Sequence, residues 1–373
     1  MLLAHKIELN PNNKQATYFA KACGVARFAY NWALAEWKRR YEAGEKPSEP
    51  LLRRELNAIK REAFPWMLEV TKNAPQMAII QLGEAFKNFF KKRARYPQFR
   101  QKGRDDRFTL TNDQFALNGP TIRIPHLGWV RMHESLRLIG KILSATISRK
   151  DDRWFVSIAL ETPKPLPGTC ENQAVIGVDL GVSDFATLSN GETIRGPKPH
   201  QALMNRLRRL SRSLSRKQKG SRNRNKAKIK LAKLHYRIGT IRRDAIHQLT
   251  TYLTRHYAVI GIEDLNVQGM MKMRSLSRAI ADMGFYEFRR QLEYKAVINN
   301  SQIVVADRWF ASSKICSVCD YRVTALSLSV RAWICPSCGS FHQRDVNAAM
   351  NLRKWAVSST VTACGASSSG TAV

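Results

Sequence analysis

Acidic residues are scarce: the 373 residues include 29 Asp and Glu against 62 Lys and Arg, for a formal net charge of +33 and an isoelectric point near 10.4. Solubility alone does not call for so large an excess. It points to a polyanionic partner, because each cation that neutralises a phosphate releases a counterion. Long apolar runs are missing too. None approaches the ~20 residues needed to cross a bilayer, so no membrane span is expected. The first residues, MLLAHKIELNPNNK, lack the apolar stretch and small-residue cleavage site of a secretory leader. A cytoplasmic protein with reduced thiols is expected. Histidines number eight, and no two stand in the His-x-His spacing that a tyrosine-type single-strand transposase uses for its metal. Of seven cysteines, Cys23, Cys170 and Cys364 are isolated and read as packing or surface residues.

What is present divides by period. A first strand precedes a helix from about Asn12 to Tyr41, with Phe19, Cys23, Ala26, Tyr30, Ala33 and Trp37 on one side. Further helices are expected over 51–64 and 76–94, followed by the basic, aromatic-rich KKRARYPQFRQKGRDDR, a mix suited to phosphate contact and base stacking. From Arg107 to Thr162 the period falls to two, predicting short antiparallel strands that with the first strand could close a small barrel. TPKPLPGT reads as a linker. Beyond it, AVIGVDLGVSDFATLSNG reads as an apolar strand, a turn, a second strand and a hairpin at Asn190-Gly191. Residues 206–243 carry sixteen Lys or Arg and no acid. Leucine and isoleucine seams there (Leu203, Leu207, Leu210 and Leu214; Leu231, Leu234, Ile238 and Ile241) predict a helical hairpin with a basic outer face. Like charges one turn apart cost stability unless a polyanion compensates. Arg216, Lys217, Lys219, Arg222 and Arg224, around its turn, are candidate nucleic-acid contacts. YAVIGIEDLN and QIVVAD are further strands, VQGMMKMRSLSR a mobile loop, 279–299 a helix, and the tail from about 357 is expected to be disordered.

Two constellations carry chemistry. Cys316-Ser-Val-Cys319 and Cys335-Pro-Ser-Cys338 are C-x-x-C knuckles fifteen residues apart, the spacing of a tetrahedral four-thiolate zinc site. Disulfides are disfavoured in a reducing compartment, and a redox pair needs one such motif, not two. A site closed by four sulfurs has no open position, so this zinc is structural. The second constellation is acidic. Asp179 ends AVIGVD, Glu263 ends AVIGIE, and Asp345 opens the last helix. Two strand-end acids and one helix acid are what an RNase H-like nuclease needs to gather around two divalent ions about 4 Å apart, and Mg²⁺ prefers such oxygen ligands. Singly each acid is weak: Asp345 alone could be a helix cap. Asp264 would face away from Glu263 on a continuing strand, and Asp184 reads as a turn residue.

GVDLGVSDFATLSNG, IGIEDLNVQGM and CSVCDYR…ICPSCGSFHQRDVNAAMNL resemble the TnpB family, encoded by insertion sequences, often described as transposases and related to the type V CRISPR effector nucleases. GVARFAYNWAL resembles that family's helical start, and the likeness runs from near residue 5 to about 355. The resemblance implies an α/β fold: a RuvC-like (RNase H-like) nuclease domain at 171–310 and 340–356 with an inserted zinc ribbon at 311–339, a wedge-like antiparallel β-barrel at 1–10 and 105–165, and a helical lobe at 11–104 with a helix-turn-helix-like start. It implies an RNA-guided DNA endonuclease that binds a guide RNA from the transposon end and double-stranded target DNA. Asp179, Glu263 and Asp345 match its catalytic carboxylates, and the four cysteines its one zinc. Arg331, in SVRAWIC, matches an arginine near the active site that could steady the scissile phosphate. The family commonly has Asp where Gln343 stands, which touches only a secondary carboxylate. Two other readings stay open: a binding protein such as a repressor or accessory transposition factor, and an RNase H-like strand-transferring transposase.

Overall fold

A computed structural model describes residues 1–163, 174–327 and 329–365, with side chains described to residue 360. Most of the expected linker, Cys170 and the last eight residues lie outside this range, as does the side chain of Cys364. The chain divides into two compact units, 1–164 and 165–373.

In the first unit, β1 (Leu2–Asn10) leads into α1 (Asn13–Glu42). Asn12 starts that helix with a reciprocal cap: its Oδ1 accepts from the Gln15 N–H at 2.9 Å, and Gln15 Oε1 accepts from the Asn12 N–H at 3.0 Å. The helix expected from about Asn12 to Tyr41 is one unbroken 30-residue element. α2 (Glu49–Ala63) and α3 (Asn73–Phe90) follow, then β2 (Arg107–Thr111), β3 (Ala116–Asn118), β4 (Thr121–Ile124), β5 (Gly128–Met132), β6 (Lys141–Lys150) and β7 (Arg153–Glu161). The strands form one sheet in the order β2-β6-β7-β1-β5-β4-β3. All its pairings are antiparallel, and β1 lies between β7 and β5. The edge strands β2 and β3 are not paired with each other, so the ladder keeps two edges. Helices and sheet share one core: Phe19 of α1 packs on Phe108 of β2 and Trp154 of β7, ring centroids 6.1 and 5.1 Å away.

The second unit begins with β8 (Val175–Asp179), β9 (Ala186–Leu188) and β10 (Thr193–Ile194), an antiparallel meander whose β9–β10 hairpin turns at Asn190-Gly191 as expected, with Gly191 at φ +90°. α4 (Pro199–Ala202), α5 (Met204–Ser215) and α6 (Arg222–His256) precede β11 (Val259–Glu263). Then come α7 (Val267–Lys272), α8 (Ser277–Met283), α9 (Phe285–Asn299), β12 (Gln302–Ala306), the ribbon strands β13 (Ala332–Ile334) and β14 (Phe341–Gln343), and α10 (Arg344–Gly365). The five-stranded sheet runs β10-β9-β8-β11-β12, with β8, β11 and β12 parallel. Three expectations shift. The loop expected at 267–278 contains α7, whose first turn is capped by the Asn266 side chain. The single helix expected at 279–299 breaks at Gly284, φ +76°. The last helix runs to Gly365, past the expected start of a disordered tail.

The faces of this sheet follow from alternation. Ile176, Val178, Ile260 and Ile262 join one core with Ile246, Leu249 and Leu253 of α6 and with Phe285, Phe288 and Leu292 from α9. Gly177 and Gly261 point the other way and are opposite each other in the ladder. α10 crosses there so closely that a Cβ on Gly177 would sit 1.9 Å from the Ala349 carbonyl oxygen, and one on Gly261 would sit 2.4 Å from that of Leu352. Ala348, Ala349, Leu352 and Ala356 are its buried contact face.

Candidate active site and metal centre

The parallel register Val259↔Val175 to Ile262↔Val178 brings Glu263 and Asp179 out side by side at the carboxyl ends of β11 and β8. Each acid stands two residues after its glycine, and so on the same face. α10 lies over that face, and Asp345 sits in its first turn. The three acids that the sequence scatters over 166 positions thus converge. Burial pushes the Asp179 carboxyl well above the usual carboxylate range; the charges of Glu263 and then Asp345 push it further, while Arg344 and Arg331 offset part of the rise. Burial also raises Glu263, whose Oε1 accepts a hydrogen bond from the Ser312 hydroxyl that lowers it. Arg331 Nη1 lies 3.6 Å from Asp345 Oδ1. The raised proton affinity of Asp179 and Glu263 is what a hard cation would relieve, and the all-oxygen donors here are of the kind Mg²⁺ takes.

Neighbouring acids sort as the alternation requires. Asp264 turns away from Glu263 and pairs with Arg289 at 2.7 Å and Arg308 at 2.6 Å, which hold its carboxyl below the usual range. Asp184 lies in the β8–β9 turn, 4.0 Å from Arg195. Gln343 is an exposed outward residue of β14 opposite Ala332, between the inward His342 and the site helix.

The four cysteines come together with their sulfurs all within 4.8 Å of one another. Cys316–Cys338 and Cys319–Cys335 are 3.7 and 3.6 Å apart. Tetrahedral zinc with Zn–S bonds of about 2.3 Å requires about 3.8 Å between sulfurs, so the donor set fits. Both knuckles are built alike. The residue after the second cysteine, Asp320 or Gly339, takes positive φ (+61° and +72°), and its N–H returns to the carbonyl of the first cysteine at 3.0 and 2.9 Å. Only glycine, or a short polar residue such as aspartate, accepts that conformation cheaply. His342 adds a ring against Trp333 (4.7 Å), with Nε2 3.0 Å from Cys316 Sγ.

Two buried residues that the sequence reading did not single out tie the ribbon to the acid-bearing helix. Asn347 Oδ1 accepts from the Ser317 N–H at 2.9 Å, while its Nδ2 donates to the Ile315 carbonyl at 2.7 Å. One turn later, Asn351 Nδ2 donates to the carbonyls of Ser312 and Ile315, both at 2.7 Å. The signal available was Asn-x-x-x-Asn at helical spacing, two amides on a face otherwise lined by alanine.

The basic hairpin forms from α5 and α6 around Leu207, Leu234 and Ile238. Of its five candidate contacts, Arg216, Lys219 and Arg222 are exposed and Lys217 partly so. Arg224 differs: its Nη1 donates to the carbonyls of Leu214 and Lys217 at 2.8 and 2.9 Å, closing the turn. Arg209 and Arg212, not chosen from the sequence, line a recess of about 320 Å³ with Arg216 and Lys217.

Comparison with known proteins bears on both units. Residues 156–274 match the family described as "Probable transposase", residues 285–352 the "Cas12f1-like, TNB domain", and residues 1–46 a "Helix-turn-helix domain". The chain is 37% identical over 362 residues to a Streptomyces pristinaespiralis protein named "Putative RNA-guided DNA endonuclease", covering 94% of this chain and 88% of that one. The chain belongs to the TnpB family. A relative from Escherichia coli K12, "Putative RNA-guided DNA endonuclease InsQ", is 32% identical over 382 residues, covering 98% of this chain and 94% of that one. A solved Cas12f1–sgRNA–target DNA complex aligns with TM-score 0.57 at 13% identity, over 92% of this chain and 83% of that one, a likeness of fold. The TnpB assignment agrees with the α/β, RNase H-like nuclease fold and inserted cysteine ribbon read from the sequence. In this TnpB-family chain the stretch matched as helix-turn-helix is β1 with α1.

Proposed function

We propose that this TnpB-family protein is an RNA-guided DNA endonuclease of a transposable element, hydrolysing phosphodiester bonds at Asp179, Glu263 and Asp345. The observation that carries the reading is the convergence of those acids through the Gly177–Gly261 trough, in a chain whose relatives bear that name. Two Mg²⁺ ions held by the three carboxylates would supply an activated water and stabilise the leaving oxygen. The chain's own residues do the rest. The glycine trough admits α10 and so sets Asp345 against the strand ends. Ser312 orients Glu263. Arg331 steadies the scissile phosphate beside Asp345.

The four cysteines would hold one structural zinc, with every position filled by sulfur. Asn347 and Asn351 make that ribbon a brace for the site helix. A guide RNA from the transposon end and double-stranded target DNA are the polyanions that +33 calls for. Base pairing would read the target, and the protein would read a short adjacent motif. Arg216, Lys217, Lys219 and Arg222 would contact RNA or heteroduplex. The first unit would combine the wedge (1–10 and 105–165) with the lobe (11–104); the second would combine the nuclease (171–310 and 340–356) with the ribbon (311–339). No helix is long and apolar enough to cross a membrane among the described residues, and the protein would act in the cytoplasm on the nucleoid.

The test is cleavage of DNA complementary to the RNA that copurifies with the full chain, with Mg²⁺ present. Asp179→Ala should lower the rate at least about 10³-fold. A variant that still cuts would refute the site. Binding without cutting by the wild-type complex would favour an accessory factor, and joined transposon ends a transposase.

A further inference from the structure

Trp309 is 86% exposed, the barest aromatic side chain among the described residues. A lone exposed apolar residue is ordinary; its setting here is not. Trp309 lies three residues past the end of β12, the strand beside β11. The turn that carries it is pinned on both sides to the strand end bearing Glu263. Before it, Arg308 donates through Nε (3.0 Å) and Nη2 (2.6 Å) to Asp264. After it, the Ser312 hydroxyl donates to Glu263 itself. Within the turn, the Trp309 N–H donates to Asp307 Oδ1 at 2.8 Å, and Phe310 packs on Trp355 of α10 at 4.7 Å. The backbone is held, the next ring is half-buried against the site helix, and the indole is left in solvent with no ring contact among the described residues. Arg308, paired with Asp264, and Arg331, beside Asp345, are half-exposed cations.

We propose that Trp309 stacks on a nucleobase of the DNA strand held at the carboxylates, setting which phosphate lies over them. The inference rests on the nuclease reading above. An indole is a platform for any base, since every base has a π-face, and the half-exposed cations Arg308, next to it, and Arg331, beside Asp345, suit the strand's phosphates. A rigid turn fits this role because a stacked base positions its neighbouring phosphate only if the platform does not move.

The test uses the full chain with its copurifying RNA, comparing wild type, Trp309→Phe and Trp309→Ala. Single-turnover cleavage is measured on complementary DNA carrying one abasic residue at successive positions around the cut. Base–aromatic stacking predicts a cleavage rate about 5- to 140-fold lower for Trp309→Ala, unchanged overall DNA affinity, and recovery of most of the rate by Trp309→Phe. In wild type one abasic position should cause a similar loss, and that position should cost nothing more in Trp309→Ala. A normal rate in Trp309→Ala, or an abasic penalty that persists in it, would overturn the stacking role while leaving the nuclease reading intact. A wild-type complex that does not cut at all would overturn both.

Discussion

Gly177→Ala tests the central packing claim. The added Cβ would lie 1.9 Å from the Ala349 carbonyl oxygen and 2.5 Å from the Arg353 nitrogen, both helix backbone that cannot rotate aside. An ordinary carbon–oxygen contact needs about 3.3 Å, so α10 would have to withdraw by roughly 1.4 Å. Overpacking of this kind costs about 1–3 kcal/mol, a fall in the thermal midpoint of roughly 2–12 °C for a unit of this size. The functional loss should be larger. Asp345 lies one turn before Ala349 on the same rigid helix and would withdraw with it. A misplacement of about 1 Å costs about 10²-fold in rate. The assay is single-turnover cleavage, with RNA affinity and bound zinc as controls that should hold. Gly239→Ala is the matched control: its Cβ would meet nothing within 4 Å, and in a helix interior it should be neutral or stabilising by about 0.5–1 kcal/mol. Wild-type cleavage by Gly177→Ala would refute the claim that the glycine trough sets the acid's position.

Three further outcomes are expected. Metal analysis should find one tightly bound zinc per chain, lost in Cys335→Ser together with part of the thermal stability; retention of zinc would reject the four-sulfur site. Neutralising Arg216, Lys217, Lys219 and Arg222 together should flatten the salt dependence of RNA binding by about 0.7–0.9 log units per lost phosphate contact, whereas Arg224→Ala should loosen the hairpin turn instead; identical salt slopes would return these cations to a solvated face. In metal-free buffer at pH 7, Asp179→Asn should raise the thermal midpoint. The sign follows from its raised proton affinity: a group bound more tightly to its proton when folded adds stability only below its unfolded pKa. That stability is lost as pH rises through the folded value, and the amide removes the penalty. A lower midpoint would contradict the acid-cluster electrostatics.

Much of the site was legible because each acid follows a marked local pattern. Asp179 and Glu263 close five-residue apolar strands, and Asp345 precedes an alanine-rich helix. The glycines two residues before each strand-end acid were in plain view, yet what excludes a Cβ there is a helix more than 80 positions away. Alternation separated Glu263 from Asp264, and the arginine pairs on Asp264 agree. The charge of Arg224 is indistinguishable in sequence from its neighbours'; only the turn carbonyls reveal that it also closes the hairpin. The helix expected from about Asn12 to Tyr41 formed because apolar spacing continues through Ala33 with no proline to stop it, Gly24 being tolerated inside it.

By itself, then, the sequence determined the cationic excess, the four-thiolate spacing and the strand-end acids, since composition and short-range periodicity encode these directly, and its motifs carried the resemblance to the family. Tertiary structure decided which groups meet: Ser312 with Glu263, the Asn347 and Asn351 amides with the ribbon backbone, and Trp309 left bare in a turn tied to Asp264 and Glu263. Those pairings depend on how closely a helix can approach a sheet, and that distance is set by packing between segments remote in the chain.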